Sequence, residues 1–330
     1  FKTKTTPAKT DFSRIISGMS RILVSGSIAY DHIMDFKGLF ADHFMPDKLH
    51  SINLSFQVDK FSTQFGGTAG NIAYNFALLQ EEARIIATAG NDFGSYKSHL
   101  LRSGIDPQSI RVLGDQPTSS AFILTDQNDN QIAAFHSGAG GIAYDIPIET
   151  EGVALAIVAP GCLPDMRDLP SYYRKHGLKY AYDPAQQIPV LTPEMLRDGI
   201  KGAEMLFGSD YEYALIKQKT GLTDAQILEQ TKMVVVTYGA KGSDIITVSG
   251  TTHVNACPAK ELVDPTGAGD AYRAGFIKGM IVGLPPAQCA QLASVVAAFV
   301  VEVYGTQTHR FSIEDVKSRY KEAYRETLAL

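Results

Sequence analysis

The chain has 330 residues, of which 45% are hydrophobic and 20% charged, enough to build a sizeable core in one large domain or two modest ones. Its net charge of −5 and pI of about 5.9 argue against a nucleic-acid partner, because proteins that bind a phosphate backbone usually carry a basic patch. The three cysteines are scattered and odd in number, which argues against a disulfide framework and favours a reducing cytoplasm.

The N-terminal segment is strongly polar, and one segment near the C-terminus is strongly apolar. Residues 1–18 lack the apolar stretch of a secretory signal, so we predict a leader or disordered tail there and a single domain over 19–330. The segment LASVVAAFVV, which begins at Leu292, is too short to span a bilayer and is typical of a buried helix. We therefore expect no membrane partner.

Nearly continuous apolar runs alternate with helical patterns along the chain. Such runs are typical of strands buried on both faces of a parallel sheet; they are RILVSG (21–26), ARIIATA (83–89), ALAIVA (154–159), KYAYD (179–183), AEMLFG (203–208) and MVVVTY (233–238). The apolar spacing from Thr68 to Leu79 predicts a helix between two of them. This alternation predicts an α/β fold.

Two segments instead alternate apolar and polar residues, which indicates a sheet with one wet face. They are HSINLSFQVDKF (50–61) and SSAFILTDQNDNQIAAFH (119–136), and the second predicts two strands around a polar turn at 126–130. We expect a small antiparallel β lid, formed from about 32–64 and 116–138, that closes on a ligand and excludes water. The alternative is a solvated edge extension that does not move.

The segment DPTGAGDAYRAGF (264–276) places small residues at every fourth position. The spacing predicts a helix from near Gly267 past Met280, with a stripe of small side chains that packs closely on a neighbour. Helix N-termini with exposed N–H groups bind anions, phosphates above all. The N–H groups predicted to do so are those of Gly267, Ala268 and Gly269.

Asp270 follows directly after these N–H groups. A carboxylate in the first turn usually does no more than complement the helix dipole. Here the carboxylate would repel the anion that the N–H groups bind. A general base explains this pairing, because it accepts the proton of a hydroxyl that attacks phosphorus while the N–H groups stabilise the developing charge. We therefore predict that Asp270 is a general base.

A second glycine cluster, FGGTAGN (65–71), precedes the first predicted helix. Gly66 and Gly67 permit close approach of the backbone, and Asn71 could offer a donor and an acceptor to a polyol, although a plain turn and helix start would look the same. Ser27 and Asp31 follow the first strand, where ligands of open α/β sheets bind, although a lone aspartate there is more often a turn former. No P-loop or dinucleotide-binding motif is present.

In this order, FGGTAGN and DPTGAGDAYRAGF resemble the two signatures of the PfkB, or ribokinase-like, carbohydrate and nucleoside kinases, and the resemblance covers Met19 to the C-terminus. It implies a three-layer α/β/α ribokinase-like sandwich with a small β lid. It also implies that ATP and Mg²⁺ are used to phosphorylate a sugar or nucleoside hydroxyl.

By this resemblance Asp270 is the catalytic base, and the N–H groups of 267–269 form the anion hole. The predicted substrate-binding residues are Ser27, Asp31, Gly66, Gly67, Thr68, Asn71, Phe122 and Phe135. The two phenylalanines could stack on a base or simply cover the inner face of the lid.

The resemblance also assigns a nucleotide side. VTYGAKG (236–242) is similar to the loop that lines the ATP phosphates, which places Thr237, Gly239 and Gly242 there. SDYE (209–212) falls where the family has N-x-x-E, so Ser209 replaces the asparagine. Glu212 keeps its place and is predicted to bind Mg²⁺ through water. Asp210 could compensate for the missing asparagine. Asp264 matches a position beside a monovalent cation, K⁺.

The segments IAYN (72–75) and GTQTHRF (305–311) most resemble the bacterial adenosine kinase branch. We therefore predict phosphorylation of the 5′-hydroxyl of adenosine to AMP. The alternatives are a sugar kinase that acts on ribose or a hexose derivative, and a non-catalytic nucleoside sensor on the same fold. A monomer and a homodimer are both compatible with the sequence.

Overall fold

The structure, a computed structural model, describes residues 21–45, 50–51, 53–128 and 130–330, so the predicted leader or tail at 1–18 lies outside the described residues. The strands are β1 (Arg21–Ser25), β2 (Ala29–Asp35), β3 (Lys60–Gly66), β4 (Glu82–Ile86), β5 (Thr88–Ala89), β6 (Arg111–Val112), β7 (Ser119–Thr125), β8 (Gln131–His136), β9 (Val153–Val158), β10 (Tyr180–Tyr182), β11 (Met205–Ser209), β12 (Val234–Thr237), β13 (Ser243–Thr247) and β14 (Gly250–Val254). The helices are α1 (Thr68–Leu78), α2 (Gly94–Arg102), α3 (Leu163–Lys175), α4 (Pro193–Ile200), α5 (Asp210–Thr220), α6 (Asp224–Leu228), α7 (Ala268–Ile281), α8 (Pro286–Val301) and α9 (Ile313–Tyr324).

The central sheet has the strand order β14-β13-β12-β11-β10-β9-β1-β4. Pairing is parallel from β12 to β4, whereas β13 and β14 form an antiparallel edge. Each of the six apolar runs supplies a strand of the parallel part, so that prediction is confirmed. The edge hairpin β13–β14 was not predicted.

Helices cover both faces of this sheet because its strands are apolar on both faces. In β1, Ile22 and Val24 pack in one core cluster with residues of α1, α2, α7, α8 and α9. Leu23, between them, belongs to a second cluster with residues of α3, α4, α5 and α6. The three-layer α/β/α arrangement is confirmed, and the buried helix predicted near Leu292 is α8. No helix among the described ranges is long and apolar enough to cross a membrane.

A second, small sheet has the order β3-β2-β7-β8. Its β7–β8 hairpin encloses the predicted polar turn at 126–130. The predicted antiparallel pairing is found for β2–β3 and β7–β8, whereas β2 and β7 pair in parallel. The alternation of apolar residues marks a one-sided strand but carries no information on the direction of a distant partner.

The strand predicted within 50–61 is also corrected, since the strand of this region is Lys60–Gly66. Leu54, Phe56 and Val58 are half-buried and their described neighbours are exposed, yet residues 53–58 form no ladder. Phe56 packs against the rings of Phe36 and Phe40, with centroids 4.9 and 5.4 Å away. The apolar alternation there reflects one-sided packing of irregular backbone.

The stripe of small residues on α7 lies against α8, as predicted. A Cβ built on Gly275 would lie 2.7 Å from Cα of Ala293, and one on Gly279 would lie 3.0 Å from Cα of Cys289. Side chains are therefore excluded at both positions. This contact fixes α7, whose first turn carries Asp270.

Gly275→Ala should lower the free energy of unfolding by about 1–3 kcal/mol, because the added methyl group meets backbone that cannot rotate away. Gly94→Ala is the matched control, since a Cβ at the start of α2 meets nothing within 4 Å. It should be neutral or slightly stabilising. Urea denaturation of both variants tests this, and equal stability of the two would contradict the close α7–α8 contact.

Candidate active site

A cavity of about 820 Å³ opens at the carboxyl edge of the central sheet, beneath the small sheet. Residues at or just beyond the ends of successive parallel strands line it: Ser27 after β1, Pro160 after β9, Asp183 after β10, Ser209 ending β11 and Thr237 ending β12. Ligands of open α/β sheets bind at this edge, and the volume suits a small ligand. The sequence prediction of a site after β1 therefore agrees with the position of the cavity.

The N-terminus of α7 reaches the cavity through Gly267 and Gly269. Gly267 has φ +79°, which favours glycine, and it turns the chain into the helix. Ala268 is not among the lining residues, and its N–H donates to the carbonyl of Pro265 at 3.2 Å. Of the three predicted anion-hole residues, the two glycines therefore face the cavity.

Asp270 lies in the first turn of α7 and lines the cavity. Nδ2 of Asn71, from α1, donates to its Oδ2 at 2.8 Å, so the two sequence motifs meet here. Burial raises the pKa of Asp270 to about 7, while the bond from Asn71 and the charge of Arg273 act in the opposite direction. A carboxyl group that titrates near neutrality is well suited to accept a proton.

Arg273 lies one turn after Asp270 and makes a buried ion pair that sequence analysis missed. Its Nε donates to Oδ2 of Asp183 at 2.7 Å and its Nη2 to Oδ1 at 2.9 Å. Nη1 also donates to the carbonyl of Gly269 at 3.1 Å. The ion pair joins the end of β10 to the first turn of α7. The sequence signals from which it could have been predicted are the arginine of DAYRAG and the aspartate that ends KYAYD.

Asp31 lies in β2 and faces the glycine cluster. A Cβ on Gly66 would lie 2.3 Å from its Oδ2, which explains why that position has no side chain. Gly67 has φ +86°, and its Cβ would lie 2.6 Å from the carbonyl of Ser27. Burial, and secondarily the charge of Asp264, raises the pKa of Asp31 to about 6.

The hydroxyls of Ser27 and Thr68 bind backbone groups at the start of α1 and after β9. The N–H of Thr68 donates to Oγ of Ser27 at 3.0 Å, and Oγ1 of Thr68 donates to the carbonyl of Pro160 at 2.6 Å. Both residues line the cavity, as predicted for ligand contacts. Their bonds also give them a structural role in fastening three loops of the site.

The two predicted aromatic contacts lie on opposite faces of the small sheet. Phe135 pairs with Ala121, and both line the cavity. Phe122 is one residue further along β7, so its side chain projects from the other face, where it stacks on His32 with centroids 4.9 Å apart. The prediction that Phe122 contacts the ligand is therefore wrong, and only Phe135 remains.

Of the residues predicted to line the ATP phosphates, Thr237 lines the cavity but Gly239 and Gly242 do not. Both glycines lie in the turn between β12 and β13 with positive φ, and a Cβ on Gly242 would lie 2.0 Å from the carbonyl of Val254. Their place beside phosphates stays a prediction. Asp264 also lies outside the lining, where it accepts the N–H of Thr266 at 2.9 Å and of Gly305 at 3.0 Å.

Comparison with known proteins agrees with these motifs. Residues 19–312 match the family described as pfkB family carbohydrate kinase. The chain belongs to the PfkB family. It is therefore a phosphotransferase that acts on a hydroxyl group.

Relatives within the PfkB family carry the name nucleoside kinase. That of Methanothermobacter thermautotrophicus is 32% identical over 87% of this chain and 91% of its own length. The solved structure of the Burkholderia thailandensis nucleoside kinase in complex with inosine is 34% identical, covers 93% of this chain and 99% of its own, and gives a TM-score of 0.80. The Methanocaldococcus jannaschii nucleoside kinase structure is 27% identical, covers 92% and 99%, and gives 0.81.

The position where this PfkB kinase departs from the family's N-x-x-E is the N-cap of α5. The N–H of Glu212 donates to Oγ of Ser209 at 3.2 Å, and the N–H of Ser209 donates to Oε2 of Glu212 at 2.7 Å. Serine and asparagine cap helices equally well, so the replacement preserves the helix start. Asp210, which sequence analysis considered as a substitute, is exposed and outside the lining.

Glu212 lines the cavity and keeps Oε1 available to a hydrated cation. In the described part of the chain, no group of three or more His, Cys, Asp or Glu side chains could hold a metal by itself. Mg²⁺ usually keeps several waters and binds one or two carboxylates together with substrate phosphates. A single carboxylate on the wall of this cavity fits that mode of binding.

Proposed function

We propose that this PfkB kinase transfers the γ-phosphate of ATP to the 5′-hydroxyl of adenosine, giving AMP and ADP by direct in-line displacement. The observation that carries the proposal is the position of the Asp270 carboxyl at a glycine-rich helix N-terminus inside the cavity, where burial raises its pKa to about 7. A nucleoside is the favoured substrate class because the relatives named above are nucleoside kinases. Adenosine rests on the resemblance of IAYN and GTQTHRF to adenosine kinases.

In the proposed mechanism, each polar group of the site has one role. Asp270 accepts the proton of the 5′-hydroxyl while that oxygen attacks phosphorus. The N–H groups at Gly267 and Gly269 stabilise the charge that develops on the transferred group, and the α7 dipole adds to them. Asp31 accepts hydrogen bonds from ribose hydroxyls that approach over Gly66 and Gly67. No covalent phosphoenzyme is needed, because positioning and electrostatics account for this class of transfer.

The remaining groups complete the proposed site. Glu212 would hold Mg²⁺ through water, and the ion would neutralise charge on the phosphates. Asp264, which ties 264–266 to Gly305, would lie beside a K⁺ ion that supports the anion hole. The small sheet would close over the nucleoside, with Phe135 against the base, and exclude water. All three cysteines are free and buried, which fits the proposed cytoplasmic location.

The test is ADP release from ATP and Mg²⁺ with a panel of acceptors: adenosine, inosine, guanosine, cytidine, ribose, fructose and fructose 6-phosphate. The highest kcat/KM is expected for adenosine. A preference for inosine or another nucleoside would retain the enzyme class and overturn adenosine. A preference for a sugar would establish the alternative kinase, and ligand binding without turnover would establish the sensor.

A further inference from the structure

A buried chain of hydrogen bonds extends from Asp270 away from the cavity. Asn71, which donates to Asp270, accepts at Oδ1 from Nε2 of Gln307 at 2.9 Å. The same Nε2 also bonds the hydroxyl of Tyr96 at 2.6 Å, and Oε1 of Gln307 lies 2.9 Å from Nε2 of His99. Gln307 is 4% exposed, and His99 and Tyr96 are buried as well. Gln307 therefore acts on the site only through these partners.

The carboxylate determines the direction of every bond in this chain. An ionised Asp270 only accepts, so the amide nitrogen of Asn71 must face it and the amide oxygen must face Gln307. Gln307 then presents its NH₂ to Asn71 and its oxygen to His99. His99 must then donate from Nε2, and because burial lowers its pKa, it does so as the neutral tautomer with hydrogen on Nε2.

The other end of the chain requires the same arrangement. The hydroxyl of Tyr96 donates to the carbonyl of Gly66 at 2.7 Å, so its oxygen must accept from Gln307. Gln307 consequently turns its NH₂ toward Tyr96 and Asn71 together. Gly70 packs closely on this chain, since a Cβ there would lie 2.0 Å from the Tyr96 oxygen and 3.0 Å from Nε2 of Gln307.

We infer that Gln307 is a positioning residue, which holds the Asn71 amide so that its N–H, and not its oxygen, faces the carboxylate of Asp270. The inference rests on the proposed function, in which Asp270 is the base, and it adds a residue to which no role had been assigned. Without the donor from Gln307, the oxygen of Asn71 is buried without a partner, and the amide is free to reverse. A reversed amide favours the protonated form of Asp270, which cannot act as a base.

This consequence can be separated from a general loss of structure by pH. The charged groups that face Asp270 are Arg273 on its own helix and Asp183 after β10, with Asp31 and Glu212 elsewhere on the cavity wall. Gln307 bonds none of them, so a neutral substitution leaves their charges in place. The activity lost on removing Gln307 should therefore return as the pH rises.

The experiment compares Gln307→Met with Tyr96→Phe in adenosine kinase assays from pH 5.5 to 9.5. Gln307→Met should move the acidic limb of kcat/KM up by roughly 0.5–1 pH unit, a roughly three- to tenfold loss at pH 6.5 that is recovered above pH ~8.5. Tyr96→Phe removes one buried bond of Gln307 but leaves its bonds to Asn71 and His99, so the acidic limb should move less than in Gln307→Met. A loss that is equal at every pH in Gln307→Met, or the same shift in Tyr96→Phe, would overturn the inference.

A second readout needs no turnover. NMR titration of protein labelled with ¹³C at aspartate Cγ, with the Asp270 signal assigned from Asp270→Asn, reports its midpoint directly. The midpoint should rise in Gln307→Met and rise less, or not at all, in Tyr96→Phe. An inactive wild type would overturn the proposed function, and this titration would still decide the inference. If Gln307→Met does not fold, Gln307→Leu, which is also neutral and offers no hydrogen to Asn71, replaces it, and an unshifted midpoint there would refute the inference.

Discussion

Asp270→Asn should lower kcat by roughly 10²–10⁴-fold while the affinity for ATP changes little. The amide has the shape of the carboxyl group but cannot accept the proton of the attacking hydroxyl. Single-turnover and steady-state assays with adenosine, together with calorimetric titration of ATP, measure the two quantities. Asp210→Asn is the matched control, because Asp210 is the exposed aspartate at the start of α5 and lies outside the cavity lining.

The pH dependence of the wild type adds an independent check on Asp270. Because burial raises the pKa of Asp270 to about 7, kcat/KM should fall as the pH drops through that value and protonates the base. The residual activity of Asp270→Asn should lack this limb. Near-normal turnover in Asp270→Asn, or a limb that survives in it, would remove Asp270 from the role of base.

The same pKa shift predicts the effect of Asp270→Asn on stability. The folded pKa lies above the unfolded value, so the native state binds more protons and stability is lost as pH rises from about 4 toward 7. The neutral asparagine avoids this loss. Asp270→Asn should therefore be at least as stable as the wild type at pH 8, which excludes misfolding as the cause of its low activity.

The parts of the fold that sequence predicted are those specified by local patterns. Six buried strands follow from continuous apolar runs, and α1 and α7 follow from helical spacing and from glycines that permit close approach. The family resemblance assigned FGGTAGN to the substrate and DPTGAGD to the anion hole and the catalytic base. The bond from Asn71 to Asp270 joins the two motifs across 199 residues of sequence.

The parts that sequence missed depend on partners that no local pattern specifies. Three features join residues that lie from 90 to more than 200 positions apart in the chain. They are the parallel pairing of β2 with β7, the buried ion pair of Asp183 with Arg273, and the hydrogen bond from Gln307 to Asn71. Phe122 was assigned to the wrong face because a shift of one residue in a strand reverses the side-chain direction. Each of these features depends on tertiary contacts that local sequence patterns do not encode.

Asp183→Leu should lower the free energy of unfolding by about 3–5 kcal/mol, because it leaves the buried guanidinium of Arg273 without a counter-charge. Asp168→Leu is the matched control. Arg167 grips Asp168 in the same two-pronged way, with both bonds at 2.7 Å, but on the exposed surface. Its loss should cost less than about 1 kcal/mol. Equal costs in urea denaturation would contradict the argument from burial.

The double variant Asp183→Leu/Arg273→Met separates stability from function. It removes both charges together, so most of the lost stability should return, since apolar side chains of similar volume replace a buried ion pair at little cost. Activity should not return with it. Arg273 also holds the carbonyl of Gly269, and a first turn of α7 that shifts by about 1 Å misplaces both the base and the N–H groups, at a cost of up to roughly 10²-fold in kcat. A double variant that recovers full kcat would show that the ion pair only supports the fold. A double variant that is stable but has a low kcat would show that the ion pair aligns Asp270.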